Sequence, residues 1–323
     1  MEKIIELLKN KGSVTVKEIS DELNLSRQFL HRELNKLLAQ GIVIKLGRSP
    51  FVYYQINKSV LEEEKKYELE AVEIQFLQKH FIIITELGEK LEGIAAMTHW
   101  CKKQKLPVEK TVNEFIETRK KYLNYFGKNN LIDGTKKITE TEGIEKNYID
   151  QLYYLDFYAI ERFGKTRLGT LMHFAKQGQN KILMAQIVHE IKEKIEQLIE
   201  NEKVDAVCYV PPTIKREVQI MSYLETHLQL KLPTIKIRKV HNQIVVPQKA
   251  LSKIYERVAN AQMSFVNIEK QQFQKILIID DAVGSGATIN EIAQKIKHNK
   301  TANDIIGLAI TGSYKGFEVI TEL

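Results

Sequence analysis

Cysteine is nearly absent: Cys101 and Cys208 are the two in 323 residues. One falls inside an apolar, strand-like run, so no disulfide framework is expected and a reducing cytoplasm is the default compartment. Long hydrophobic runs are missing too. A membrane-spanning helix needs roughly 20 apolar residues, and Phe81-Ile-Ile-Ile-Thr85 is far too short, so no membrane partner is expected. The start, Met1-Glu-Lys-Ile-Ile-Glu, is charged from its second residue and lacks a signal-peptide apolar core. No internal repeat or low-complexity tract occurs. Two nucleotide-binding signatures also fail. Gly164-Lys165-Thr166 has Ala159 where a Walker loop needs glycine, and Gly284-x-Gly286 is followed by Ile289 where a dinucleotide fingerprint needs Gly or Ala. His80, His99 and Cys101 form no recognisable metal-ligand set.

What is present is a soluble-protein composition, 43% hydrophobic and 28% charged, with 48 Lys and Arg against 41 Asp and Glu. The resulting +7 suits a nucleic acid or polyphosphate ligand.

Residues 1–57 read as one unit. Ile4, Ile5, Leu7 and Leu8 predict a short amphipathic helix ending near Gly12. Thr15 to Leu23 predicts a second, with Thr15 and Glu18 at capping-box spacing. Asn24-Leu-Ser26 is a turn, and Ser26 can cap a third helix running to Gln40, where Gly41 stops it. Ile42–Leu46 and Phe51–Gln55, flanking Gly47-Arg-Ser-Pro50, predict a β-hairpin. Two helices joined by a turn and followed by a hairpin match a winged helix-turn-helix. On the third helix Leu30, Leu34, Leu37 and Leu38 form a buried stripe. Arg27, Gln28, His31, Arg32 and Lys36 are left outside, and these residue types reach base edges and phosphates in a major groove. Arg48, at the wing tip, can enter a minor groove or touch phosphate. Ten Lys and Arg oppose six Asp and Glu over residues 1–58, a net +4. Double-stranded DNA is the expected partner, with protein contact or dimerisation as the alternative use.

Residues 58–147 are expected to be mostly helical, opening on the charge-dense Leu61–Lys66, with Val108–Phe126 amphipathic and a boundary in the polar stretch 127–147. Beyond it, residues 148–323 alternate strands and helices. The strands expected are Ala206–Val210, Thr234–Ile237, Lys275–Ile279 and Ile305–Ile310, with a long helix from about Lys181 to Glu200. This pattern predicts an α/β fold on a parallel sheet.

The strand Lys275–Ile279 is followed by Asp280 and Asp281, the small-residue loop Gly284-Ser-Gly-Ala-Thr288, and an amphipathic helix to about His298. In open α/β sheets ligands bind beyond the carboxyl ends of strands, and a glycine-rich turn into a helix offers backbone N–H groups to phosphate. Two carboxylates beside such a cradle would repel bare phosphate. They suit ribose hydroxyls, which donate to them, or Mg²⁺.

This segment resembles the ribose-phosphate loop of type I phosphoribosyltransferases. The resemblance implies that Asp280 and Asp281 grip the ribose, that Gly284, Ser285, Gly286, Ala287 and Thr288 hold the 5′-phosphate, and that Mg²⁺ arrives with phosphoribosyl diphosphate. Tyr209-Val-Pro-Pro-Thr-Ile-Lys-Arg216 then corresponds to the pyrophosphate-binding loop, with Lys215 and Arg216 as ligands. Pro247-Gln248, Leu251, Arg257, Asn260 and Phe265 fall at the spacing of ComF-like proteins, and Gly164–Gly169 with His173-Phe-Ala-Lys176 resembles their amino-terminal stretch. Ala282, Gly284 and Arg216-Glu-Val-Gln219 depart from the usual pattern, and the zinc-ribbon cysteines of that family are absent.

A winged helix joined to such a domain resembles the purine repressor architecture. The expectation is a DNA-binding regulator, a homodimer by default, responding to phosphoribosyl diphosphate or a nucleotide. The alternatives are an active, pyrophosphate-releasing transferase acting on a base, nucleotide or nucleic acid, or a domain that only binds within a DNA-processing or defence complex.

Overall fold

The computed structural model of the protein describes residues 2–39, 42–48, 50–57, 67–127, 129–139, 141, 144, 146–212, 216–239, 265–267 and 271–313. The first unit contains α1 (Glu2–Lys11), α2 (Val16–Leu23), α3 (Arg27–Ala39), β1 (Val43–Arg48) and β2 (Phe51–Ile56). The expected capping box forms. Thr15 Oγ1 accepts from the Glu18 N–H at 3.2 Å, and the Glu18 carboxylate accepts from the Thr15 N–H at 2.6 Å. Asn24 ends α2 at φ 50°, and Ser26 Oγ accepts from the Phe29 N–H at 3.3 Å, opening α3. Leu30, Leu34 and Leu37 are fully buried with Ile4, Leu8 and Ile19, whereas Leu38 is only partly covered. Burial of each such leucine contributes about 2 kcal/mol. β1 and β2 pair antiparallel, and Val14 adds a third strand position by exchanging hydrogen bonds with Tyr54 at 2.9 and 2.7 Å. The expected stop at Gly41 lies outside the described residues.

The middle segment has α4 (Ala71–His80), α5 (Gly93–Gln104) and α6 (Val108–Leu123). Between α4 and α5 lies an antiparallel hairpin that the helical expectation did not contain: β3 (Ile82–Ile84) and β4 (Lys90–Glu92). Three consecutive β-branched residues favour strand over helix. Phe81 and Phe115 pack edge-on at 4.9 Å, and Phe115 and Phe163 at 5.2 Å, so this segment shares an apolar cluster with the α/β unit.

The remaining elements are β5 (Ile132–Asp133), α7 (Thr135–Thr139), β6 (Gln151–Phe157), β7 (Ala159–Ile160), β8 (Gly164–Lys165), α8 (Arg167–Gln177), α9 (Lys181–Glu202), β9 (Ala206–Tyr209), α10 (Ile220–Leu228), β10 (Thr234–Ile235), β11 (Ile237–Lys239), β12 (Phe265–Asn267), β13 (Phe273–Val283), α11 (Ala287–His298) and β14 (Ala302–Gly312). The central sheet has the order β10-β9-β13-β14-β6-β5. Its strands are parallel except the edge strand β5, so the sheet is mixed. Along β13, Ile276 and Ile278 join the cluster with Ile289, Ile292 and Ile296 of α11. Leu277 and Ile279 join the opposite cluster, with residues of α8, α9 and α10. Alternation with period two buries the strand on both faces, which explains its continuous apolar run.

The aromatic-rich segment Gln151–Phe157 forms the sheet strand β6. Two expected strand boundaries shift. The expected strand Thr234–Ile237 stops at Ile235, and Ile237–Lys239 pairs instead with Phe265–Asn267. Strand β13 does not end at Ile279: it runs through both acids to Val283, because Asp280 stays in register with Ala309, and Ala282 with Thr311.

Candidate functional site

On α3 the residues Arg27, Gln28, His31, Arg32 and Lys36 are all exposed, opposite the buried leucines, and Arg48 is exposed in β1. Not all of their charge is free. Lys36 donates to the buried Glu33 at 2.9 Å, and the Arg32 Nε lies 3.6 Å from the same carboxylate. The Arg32 guanidinium also sits 5.4 Å from the Phe29 ring centroid. The Lys36 hydrogen bond, together with both cations, holds the Glu33 carboxyl below its ordinary range. Leu46 and Tyr53 are cross-strand partners, as are Arg48 and Phe51. Strand alternation therefore puts all four on one face, where Phe51 is 71% exposed.

The second site lies where β13 passes into α11, at the carboxyl end of the parallel strands. Asp280 is buried and Asp281 partly covered. Burial, then the neighbouring Asp281 carboxylate, pushes Asp280 up to about 7, against the opposing pull of Lys176 and of the Asp281 N–H, which donates to Asp280 Oδ1 at 2.7 Å. Lys176, in the last turn of α8, forms an ion pair with Asp281. Tyr158 feels the same carboxylate: burial and then Asp281 raise its hydroxyl to about 12, and it shares a 3.0 Å hydrogen bond with His173 Nδ1. The Thr311 hydroxyl donates to the Asp281 carbonyl at 3.3 Å.

Gly286 precedes α11 at φ 81°, a conformation glycine adopts without strain. A Cβ there would lie 2.8 Å from Ile138 Cγ1, so α7 closes one side of the turn. Gly286 has no side chain to cap the helix start, and the Ala287 N–H donates to Ser285 Oγ at 3.4 Å. Asn290 ties the helix to the preceding segment, accepting from the Tyr148 N–H at 2.8 Å and donating to the Lys146 carbonyl at 3.0 Å. Amide groups at such a turn present partial positive charge to an anion.

Of the residues expected to bind pyrophosphate, Lys215 lies outside the described residues. Arg216 is engaged elsewhere: its guanidinium donates to the Lys176 carbonyl and, at 3.0 Å, to Gln177 Oε1, closing the end of α8. Pro247, Gln248, Leu251, Arg257 and Asn260 also fall outside, and Phe265 opens β12. Among the described residues, the cation that meets the acids is Lys176. The sequence marks it only as part of the His173–Lys176 stretch, because a lysine in a helix carries no signal of its partner 105 residues away. Gly169 is positioned by close packing, since a Cβ there would fall 1.9 Å from the Tyr158 carbonyl oxygen.

Comparison with known proteins bears mainly on the first site. Residues 1–55 match the family described as an HTH domain, so the N-terminal unit is a helix-turn-helix domain. The chain is 31% identical over 77 residues to the lactose phosphotransferase system repressor of Lactococcus lactis subsp. lactis, covering 21% of this chain and 30% of that protein. It is 29% identical over 70 residues to transcriptional repressor SdpR of Bacillus subtilis (strain 168), covering 22% of this chain and 77% of that one. The chain thus spans under a third of the length of the first of these relatives. A crystal structure of a hypoxanthine phosphoribosyltransferase from Staphylococcus aureus aligns with 38% of this chain and 62% of its own, at 14% identity and a TM-score of 0.24. A score that low carries no argument about the fold. No helix among the described residues is long and apolar enough to cross a membrane.

Proposed function

We propose that the protein is a DNA-binding transcriptional regulator whose α/β unit, of type I phosphoribosyltransferase fold and ComF-like kind, binds phosphoribosyl diphosphate or a nucleotide as effector. Residues 1–57 are the DNA-binding domain, 58–147 the connecting segment and 148–323 the effector domain, in a homodimer that reads a two-fold site. The repressor relatives support the DNA-binding half. The observation that carries the effector half is the run of β13 through two adjacent carboxylates into a glycine-turned helix start at the carboxyl end of the sheet's parallel strands.

In this reading Asp280 and Asp281 accept from ribose hydroxyls, while the backbone of Gly284–Thr288 receives the 5′-phosphate. Among the described residues no three His, Cys, Asp or Glu side chains gather as a metal site. Two carboxylates still fit Mg²⁺ that arrives with a ligand, since that ion commonly takes one or two protein carboxylates plus phosphate oxygens. Mg²⁺ bound in this way would neutralise diphosphate charge.

An effector controls DNA binding only through different affinities for two states. The test is fluorescence anisotropy of labelled duplex DNA, with and without phosphoribosyl diphosphate and Mg²⁺, beside calorimetry of the effector alone. At least a tenfold change in DNA affinity, or about 1.4 kcal/mol, is expected. An unchanged affinity sinks the sensor. The double variant Asp280→Asn/Asp281→Asn should lose effector binding, and retained binding would remove the site assignment. Pyrophosphate release on addition of a base would instead make the domain a transferase.

A further inference from the structure

The carboxylate assigned to a ribose hydroxyl is not waiting empty: the Lys176 ammonium already occupies it. The backbone at that position is pinned, because Arg216 holds the Lys176 carbonyl and the Gln177 side chain, and the Val218 N–H donates to Gln179 Oε1 at 2.8 Å just beyond the helix. The side chain is not pinned. It is about one-third exposed, and its flexible four-carbon stem turns by rotamer changes alone. From Asp281 to Gly284 is three residues, at most about 10 Å of chain. An anion seated at the Gly284 end of the turn would therefore lie within about 10 Å of the Asp281 backbone that the ammonium already meets.

Resting on the ribose-phosphate reading of the pocket, we propose that Lys176 is a specificity-determining residue that leaves Asp281 for a phosphate of the incoming ligand, so that the site selects sugars carrying both free hydroxyls and a phosphate. A neutral sugar must compete with the ammonium for Asp281 and offers it no new partner. A sugar phosphate offers both exchanges together: its hydroxyls replace the ammonium on the carboxylate, and its phosphate receives the displaced charge. Discrimination then lies in the exchange of partners, with no further contact required.

The proposal predicts opposite effects of one substitution on two ligands. Full-length wild type, Lys176→Met and Lys176→Arg are titrated with ribose 5-phosphate and with ribose by ligand-observed NMR. Lys176→Met should bind ribose 5-phosphate at least tenfold more weakly yet bind ribose equally well or more tightly, and Lys176→Arg should recover most of the ribose 5-phosphate affinity. Equal weakening for both sugars would reduce Lys176 to a structural contact, and unchanged ribose 5-phosphate affinity would remove its role outright. Wild-type protein that binds neither sugar overturns the pocket reading itself, and the role of Lys176 falls with it. Lys176→Arg keeps the charge and guards against misfolding as the cause of any loss.

Discussion

Asp280 is held in a state that costs the fold. Burial, and then the neighbouring Asp281 carboxylate, pushes its carboxyl up from an ordinary 3.8 to about 7. The folded chain therefore binds a proton that the unfolded chain has released between pH about 4 and about 7, so this group lowers stability as pH rises through that window. Asp280→Asn should then stabilise the protein at pH 8, with the difference fading towards pH 4. Thermal melts of the two proteins across that range check it, and a variant that is less stable at pH 8 contradicts it. A gain in stability joined to loss of effector would mark a residue retained for binding. The Arg119–Asp156 pair is a buried ion pair whose loss would cost the fold. Both side chains are buried, and two hydrogen bonds of 2.9 and 2.7 Å join them. Asp156→Ala leaves the guanidinium without its counter-ion, and about 3–5 kcal/mol of stability should be lost, read as a fall in the denaturant midpoint.

At the scale of elements, α3 divides cleanly between a buried leucine stripe and an exposed face that bears Arg27, Gln28, His31, Arg32 and Lys36. In the proposed reading that face enters DNA. Arg32→Ala should weaken binding several-fold and reduce the steepness of its salt dependence by about one unit if the contact is to phosphate. Unaltered anisotropy titrations at two salt concentrations would favour a protein-contact role for the helix. Helix α8 is the corresponding element in the α/β unit. Arg167 at its start bridges Glu92 and Glu190 at 3.1 and 2.9 Å, and Lys176 at its end meets Asp281. A single helix thus touches the hairpin of the middle segment, the long helix α9 and the acid pair.

At the scale of the whole molecule, local chemistry made much of the architecture legible. The Thr15–Glu18 box, the Ser26 cap and the leucine spacing of α3 act within one or two turns of chain, and so did the apolar runs that became β9, β13 and β14. The acid pair and glycine turn were visible for the same reason, being contiguous. Sequence by itself determined the helix-turn-helix domain and the alternation of strands and helices. Tertiary structure alone decided that Gln151–Phe157 lies beside β14, that β13 extends through its acids, and that Arg216 closes α8 while Lys176 faces Asp281. Those outcomes depend on pairing partners from 29 to 155 residues away. A hydrogen bond or ion pair across that distance leaves no mark on the local pattern of either residue, because its energy is realised only when the sheet brings both ends together.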